Sequence, residues 1–153
     1  MADLIIIFLA KYLFIFILAT SFIIFWKLKK GERKKLLILS IISLPLIYLL
    51  LILAGHFYYD PRPFVAGHFT PLIPHDPDNG FPSDHTLLIS SVAMIFWYFS
   101  RKASIIFWIS AALIGVARVL SGVHQWVDIL GSMIIAIITI TTVHKYVFPK
   151  INH

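Results

Sequence analysis

Cysteine is absent from the sequence, and charged residues are scarce. Of the 153 residues, 13% are charged and 59% are hydrophobic, whereas a soluble domain has about 25% charged and about 45–50% apolar residues. The absence of cysteine excludes disulfides, thiolate metal sites and cysteine nucleophiles. The shortage of charge excludes an ordinary soluble surface. Together with a mean hydropathy of +0.90, it predicts an integral membrane protein.

Five apolar runs approach the length of about 20 helical residues that crosses a bilayer. They cover residues 4–26, 36–59, 83–100, 103–120 and 127–147. The third and fourth runs are short and share a polar link, so we expect a helical hairpin. The positive residues of the first run follow it, so we expect a retained helix rather than a cleaved signal peptide. The sequence predicts an all-α fold: a single membrane-embedded domain, residues 1–153, with about five transmembrane helices.

Positive charge is unevenly distributed along the chain. Ten of the 13 Lys and Arg lie in segments 27–35, 101–102 and 145–150, which five alternating spans would place on one side of the bilayer. Because Lys and Arg favour cytoplasmic loops, we expect these segments and the C-terminus in the cytoplasm. The N-terminus and the loop 56–82 would then face outside. The net charge of +6 thus indicates orientation in a cytoplasmic membrane, and nucleic-acid binding is not expected.

Histidine is abundant for a membrane protein, with seven residues against seven acids. Five histidines and six acids lie on or near the predicted outer side, so we expect chemistry there. No His-x3-His or Glu-x2-His pair occurs on a predicted helix, and therefore no metal site is expected. We interpret four of the seven histidines as loop or surface residues: His56, His68, His144 and His153.

The most informative cluster lies near the start of the last helix. His124 and Asp128 are four residues apart, so they share one helix face. A carboxylate on one imidazole nitrogen makes the other nitrogen a better nucleophile or base. The same spacing also fits a purely structural hydrogen bond. Arg118 lies six residues before His124, and its planar guanidinium suits phosphate oxygens.

A second cluster begins at Pro82-Ser83, which is typical of a helix N-terminus. Free amides at such a terminus bind anions, and His85 projects from the predicted first turn. Arg62 precedes Pro63 in the preceding loop and is either a phosphate ligand or an interfacial anchor. Two histidines and two arginines suit phosphoryl transfer to one imidazole, with the other imidazole protonating the leaving oxygen.

These motifs resemble the type-2 phosphatidic acid phosphatase superfamily. Its signature is Lys-x6-Arg-Pro, then Pro-Ser-Gly-His, then Ser-Arg-x5-His-x3-Asp, and the counterparts here are residues 62–63, 82–85 and 118–128. The resemblance, which covers roughly residues 56–135, implies a membrane lipid phosphatase that needs no metal or other cofactor. It also implies residue roles: His124 as the nucleophile, Asp128 orienting it, His85 as the proton donor, and Arg62, Arg118 and Ser83 as phosphate ligands.

The sequence departs from the signature at three positions. Gly55 stands where the Lys is expected, Ala117 replaces the Ser before Arg118, and Asp84 replaces the Gly of the second motif. Asp84 adds negative charge, which does not favour phosphate binding. Lys11, within the first apolar run, either supplies the missing cation or extends towards water.

Segments 62–65, 72–75 and 81–85 are similar to the bacterial undecaprenyl diphosphate phosphatases of this superfamily. The similarity implies removal of the terminal phosphate of the C55 lipid carrier outside the cytoplasmic membrane, which recycles the carrier for peptidoglycan synthesis. His75 is then either a diphosphate contact or an ordinary loop residue. Phosphatidylglycerol phosphate, phosphatidic acid and lipid-to-lipid phosphotransfer remain alternatives, as does a non-catalytic lipid-binding or transport bundle. The sequence does not specify an oligomeric state.

Overall fold

The computed structural model describes residues 1–147 and 149. Its helices, in chain order, are α1 (Ala2–Lys11), α2 (Leu13–Lys27), α3 (Lys30–Phe57), α4 (Pro63–Ala66), α5 (Asp84–Phe96), α6 (Arg101–Leu120) and α7 (Trp126–Thr142), and α7 continues into a π-helical turn, Val143–Val147. The described residues contain no β-strand, so the all-α prediction is confirmed. His153, expected on the cytoplasmic side, lies outside the described residues.

The number of membrane spans differs from the prediction. In the described part of the chain, three helices are long and apolar enough to cross a membrane: Lys30–Phe57, Arg101–Leu120 and Trp126–Tyr146. Helices α1 and α2 meet at a 48° bend and form a fourth span if taken together. Helix α5 has 13 residues, or about 20 Å at 1.5 Å per residue, which is shorter than the hydrocarbon core. Each predicted run contains a helix, but the count of five spans is not confirmed.

Helix α5 lies at the centre of the bundle. It packs most extensively against α6 and α7 and also contacts α2 and α3. The Ser104 hydroxyl of α6 donates a hydrogen bond to the Ala93 carbonyl of α5 over 2.7 Å. Ala93, Ala103 and Ala111 are all buried, and such small side chains allow helix backbones to approach closely. These contacts join α5 and α6 as neighbouring helices.

The outer surface of the bundle is apolar. Large aliphatic and aromatic side chains on α2, α3, α6 and α7 are exposed, including Phe22, Ile41, Ile109 and Ile138. Water would solvate such a surface poorly, but lipid chains match it. The exposed apolar surface and the long hydrophobic helices identify a membrane protein.

Two connections meet at one end of the bundle and form the site. The loop 58–83 joins α3 to α5, and the turn 121–125 joins α6 to α7. The amide of Leu72 donates to the Ser121 carbonyl over 3.0 Å, and the amide of Phe64 donates to the Gly122 carbonyl over 3.2 Å. Gly122 has a φ of +80°, and a Cβ there would lie 2.6 Å from the Phe69 ring. Glycine at this position therefore allows the long loop to seat on the turn.

Candidate active site

His124 is held by an acid at the start of α7. Its Nδ1 lies 3.1 Å from Asp128 Oδ2, and the two side chains are 2% and 0% exposed. The backbone amide of Gln125, the N-cap residue of α7, donates to the same oxygen over 2.8 Å, so Asp128 is the N3 acid of a capping box. Because an ionised carboxylate only accepts hydrogen bonds, Nδ1 carries the proton. The lone pair of the His124 ring is therefore on Nε2.

Two guanidinium groups surround that lone pair. Arg118 Nη2 lies 3.2 Å from His124 Nε2, and Arg62 Nη1 lies 3.4 Å from it. A guanidinium has donors only, which agrees with Nε2 being the acceptor. Burial lowers the pKa of His124, and the charges of both arginines lower it further, against the opposing effect of Asp128. The imidazole is therefore neutral at pH 7 and lies between two cations.

Arg62 is fixed at the N-terminus of α4 by three further partners. Its Nε donates to Asp78 Oδ1 over 2.7 Å, its Nη1 to the Val123 carbonyl over 2.8 Å, and its Nη2 to the Asn79 carbonyl over 3.1 Å. Partial burial raises the pKa of Asp78, but the hydrogen bond and charge of Arg62 outweigh it and lower the pKa overall. Asp78 is therefore ionised and directs Arg62 towards His124.

The N-terminus of α5 supplies Ser83 and His85. Ser83 is the N-cap residue and is fully buried, and its hydroxyl donates to Thr86 Oγ1 over 3.2 Å. The His85 ring packs edge-on against Phe14, with 4.6 Å between ring centroids. Its Nδ1 is buried and has no hydrogen-bond partner among the described residues. Unlike His124, His85 is thus not committed to one tautomer.

The second histidine belongs to the same site as the first. His85 lies close enough to Arg118, His124 and His75 to interact with their charges. An open cavity of about 650 Å³ lies beside His124, between α4 and the start of α7. A neutral, oriented imidazole, two arginines and a second imidazole together can bind a phosphoryl group and accept it on nitrogen.

Comparison with known proteins identifies the family. The model of the PAP2 superfamily matches residues 34–152. The chain belongs to the PAP2 superfamily. It is 27% identical over 146 residues to the bacitracin transport permease protein BcrC of Bacillus licheniformis, an alignment that covers 95% of this chain and 71% of that protein. It is 47% identical over 83 residues to the undecaprenyl-diphosphatase BcrC of Bacillus subtilis, covering 53% of this chain and 42% of the relative.

A solved PAP2-like structure has the same fold. LpxE of Aquifex aeolicus superimposes with a TM-score of 0.73 and 26% identity, covering 95% of this chain and 86% of that chain. Membership of the PAP2 superfamily confirms the resemblance inferred from the three motifs. The protein is a membrane-embedded lipid phosphate phosphatase. The roles of individual residues stay predictions, and the structure adds where each side chain lies.

The three PAP2 motifs come together in the structure. The three accessory candidates from the sequence, His75, Lys11 and Asp84, differ in where they lie relative to these motifs. The His75 ring centroid is 6.1 Å from that of His124, and its Nδ1 is 3.9 Å from Asp78 Oδ1. Burial lowers the pKa of His75, followed by the charges of Arg62 and Arg118. His75 therefore lies at the edge of the site as a neutral imidazole.

Lys11 and Asp84 are both exposed. Lys11 ends α1, and its Nζ lies 5.7 Å from the Tyr12 ring centroid. Among the described residues it forms no hydrogen bond or ion pair, so its role as a substitute cation stays a prediction. Asp84 interacts with the charge of Arg118 and also lines a cleft between α3 and α5.

Gly55, at the position of the PAP2 signature Lys, touches the loop 58–83 through its backbone. Its carbonyl accepts a hydrogen bond from Asn79 Nδ2 over 2.8 Å, and a Cβ there would lie 3.1 Å from the Phe81 carbonyl oxygen. The backbone of α3 therefore approaches the loop closely where the superfamily signature has a long side chain.

The local sequence pattern did not indicate three residues that complete the site. Asp78 pairs with Arg62 across 16 residues, and Asn79 and Gln125 connect the loop to α3 and α7. A sequence signal did exist in the acidic segment 76–79 directly before the second motif. Its partner could not be identified, because the pairing depends on the path of the loop rather than on helical spacing. In the described residues, no group of three or more His, Asp or Glu could hold a metal ion.

Proposed function

We propose that this protein removes the terminal phosphate of undecaprenyl diphosphate outside the cytoplasmic membrane, through a phosphohistidine at His124. The observation that carries the proposal is the arrangement around this imidazole. Its Nδ1 is bonded to Asp128, and its Nε2 faces Arg62 and Arg118. A nucleophilic lone pair thus lies at the point where two cations would hold the oxygens of a phosphoryl group.

The proposed reaction has two steps. In the first, His124 Nε2 attacks the terminal phosphorus in line, the N–P bond forms, and the P–O bond to the lipid monophosphate breaks. His85, in its protonated form, gives a proton to the leaving oxygen. In the second step, His85 takes a proton from water while the water oxygen attacks phosphorus. The N–P bond then breaks, inorganic phosphate leaves, and the His124 lone pair is restored.

An apolar cleft beside the site supports a lipid substrate. It has a volume of about 460 Å³, lies between α3 and α5, and begins at Asp84, the residue next to His85. Leu44, Tyr48 and Leu87 contribute to its walls. Such a cleft would accept the first isoprene units of a lipid chain while the phosphates remain at the arginines.

The names of the relatives favour the diphosphate substrate and leave one alternative of another class. The B. subtilis relative is named an undecaprenyl-diphosphatase, whereas the B. licheniformis relative is named a transport permease protein. A transporter would not require an imidazole oriented by Asp128 and flanked by two arginines. Phosphatidylglycerol phosphate and phosphatidic acid are the rival substrates, and lipid-to-lipid phosphotransfer is the rival reaction.

The orientation of the site is proposed from charge. Among the described residues, nine of the Lys and Arg lie at the helix ends opposite the site, in segments 27–35 and 101–102 and at Lys145, and such residues favour the cytoplasmic side. The loop 58–83 and the turn 121–125 would then face outside. A reporter fused to the C-terminus would be cytoplasmic.

The test is phosphate release by purified protein in detergent, from undecaprenyl diphosphate and from the two rival lipids, with excess EDTA present. We expect release from undecaprenyl diphosphate to be the fastest and to be insensitive to EDTA. His124→Ala should lower the rate by at least about 10³-fold, because it removes the proposed nucleophile. Radiolabelled phosphate from the substrate should be trapped on the wild-type chain as an acid-labile adduct.

The controls separate the alternatives. Full inhibition by EDTA, or persistence of activity in His124→Ala, would overturn the mechanism. Faster release from phosphatidic acid or phosphatidylglycerol phosphate would change the substrate but keep the mechanism. Absence of release from all three lipids by folded protein would favour the non-catalytic bundle.

A further inference from the structure

Asp60 is a buried acid that the proposed mechanism does not use. It lies in the loop before α4 and is 7% exposed. Its Oδ1 accepts a hydrogen bond from Gln125 Nε2 over 2.9 Å. Its Oδ2 is buried and has no hydrogen-bond partner among the described residues. A buried carboxylate oxygen without a donor is unfavourable and requires an explanation.

Asp128 has a matching unpartnered oxygen. Its Oδ2 receives His124 Nδ1–H and the Gln125 amide, while its Oδ1 is buried and unpartnered within the described part of the chain. Gln125 therefore donates to both acids, through its backbone amide to Asp128 and through its side chain to Asp60. The two acids are therefore neighbours through Gln125, and Asp128 is near enough for its charge to act on Asp60.

The charges around the two acids do not allow both to be ionised without penalty. Arg62 is the nearest cation on the same loop, but its Nε faces Asp78 and its Nη atoms face backbone carbonyls and His124. His124 donates only to the opposite oxygen of Asp128. Burial raises the pKa of Asp60, and the nearby charge of Asp128 raises it further. One proton between the acids would remove the repulsion and give each unpartnered oxygen a partner.

Gly80 closes the loop over this pair. Its amide donates to the Asp60 carbonyl over 2.8 Å. A Cβ at this position would lie 3.0 Å from Asp128 Oδ2 and 3.1 Å from the Asp60 carbonyl oxygen. The loop backbone thus fills the space beside both acids, which keeps the pair away from bulk water and strengthens the repulsion between two ionised carboxylates.

We propose that Asp60 and Asp128 share one proton, and that Asp60 is a positioning residue whose hydrogen bond to Asp128 fixes the carboxylate that orients His124. The pair then carries a single negative charge. That charge stabilises the His124 ring when it becomes cationic on phosphorylation. Ionisation of Asp60 would add a second negative charge and remove the donor that holds Asp128. The activity test below rests on the proposed function; the stability test does not.

The activity test compares Asp60→Asn with Asp60→Ala. The Asn amide can donate to Asp128 and its oxygen can accept from Gln125, so this variant imitates the protonated acid, whereas Ala removes both bonds. We expect Asp60→Ala to lower kcat at least about tenfold with little change in KM, and Asp60→Asn to remain within about threefold of wild type. Asp3→Asn, an exposed acid on α1, is the matched control. Equal losses in both Asp60 variants, or no loss in Asp60→Ala, would overturn the proposal.

The stability test needs no activity. A group whose pKa is raised on folding stabilises the fold fully below its ordinary pKa, here 3.8, and the contribution is lost as the pH rises through the folded pKa. Asparagine has no such loss. The apparent unfolding temperature of Asp60→Asn minus that of wild type should therefore increase between about pH 4 and about pH 8. A difference that does not change with pH would contradict the shared proton, even if no variant released phosphate and the proposed function had failed.

Discussion

The site contains two side-chain pairs that each include an acid and that lie in different surroundings. His124 and Asp128 lie 3.1 Å apart with both side chains buried, whereas Arg62 and Asp78 lie 2.7 Å apart with the acid side chain 61% exposed. We call the first the floor pair and the second the rim pair. Removing one partner of a buried pair leaves an unpaired polar group, but water and salt replace an exposed partner at small cost. The rim pair therefore has the shorter distance, but its loss should cost less than the loss of the floor pair.

The largest effect is expected at the floor pair. Asp128→Ala would leave His124 Nδ1 and the Gln125 amide without acceptors, so the imidazole would lose its fixed tautomer and α7 its N-terminal cap. We expect phosphate release to fall at least about 10²-fold, and the free energy of unfolding to fall by about 1–3 kcal/mol because a buried donor is left without an acceptor. Initial rates and denaturant unfolding check the two effects. If Asp128→Ala kept more than a tenth of the wild-type activity, the floor pair would not matter more than the rim pair.

An intermediate effect is expected at Lys11, which is exposed like Asp78 but has no ionic partner among the described residues. If it supplies the cation missing at Gly55, its ammonium contacts phosphate only when substrate is bound. Lys11→Ala should then lower kcat/KM about tenfold without changing the unfolding temperature. Lys27→Ala, at the other end of the bent pair, is the control. An unchanged rate in Lys11→Ala would mean that the site has one cation fewer than the signature.

The smallest effect is expected at the rim pair. Asp78→Asn would remove the charge beside Arg62, but the Val123 and Asn79 carbonyls would still hold the guanidinium. We expect a loss of about threefold to tenfold in kcat/KM. The loss should shrink as salt rises from about 0.1 M to about 1 M, because the Debye length falls from about 10 Å to about 3 Å.

The matched control for the rim pair is Asp76→Asn, an exposed acid of the same loop whose side chain has no ion pair within the described residues. It should leave kcat/KM and its salt dependence unchanged. A loss in Asp78→Asn that equals the loss in Asp128→Ala, or that does not respond to salt, would show that exposure does not weaken the rim pair.

Local spacing explains which parts of the fold and site could be predicted from the sequence. The helix start after Ser83 follows from helix geometry, and the structure contains it. His124 and Asp128 do pair, but His124 lies in the turn before α7, so the prediction that the two share one helix face was wrong. The end of α5 at Phe96 and the break at Tyr12 interrupt apolar runs that have no proline or glycine there. Composition alone could not locate these interruptions.

The contacts that complete the site join residues far apart in the sequence. Arg62 and Asp78 are 16 residues apart, and Asp60 and Gln125 are 65 residues apart. Both pairs depend on how the loop 58–83 folds over the turn 121–125. No helical or strand period relates such residues, so one sequence supplies the candidate acids but not their partners.

One oxygen atom of Asp128 links folding to catalysis. Oδ2 receives both the first free amide of α7 and the proton of His124 Nδ1. Glutamine at this N3 position could still accept from the Gln125 amide but would not supply the negative charge that the imidazole needs. Fraying of the first turn of α7 would at the same moment release the nucleophile. Helix initiation and nucleophile preparation are therefore a single cooperative event, and any substitution that tunes one must also change the other.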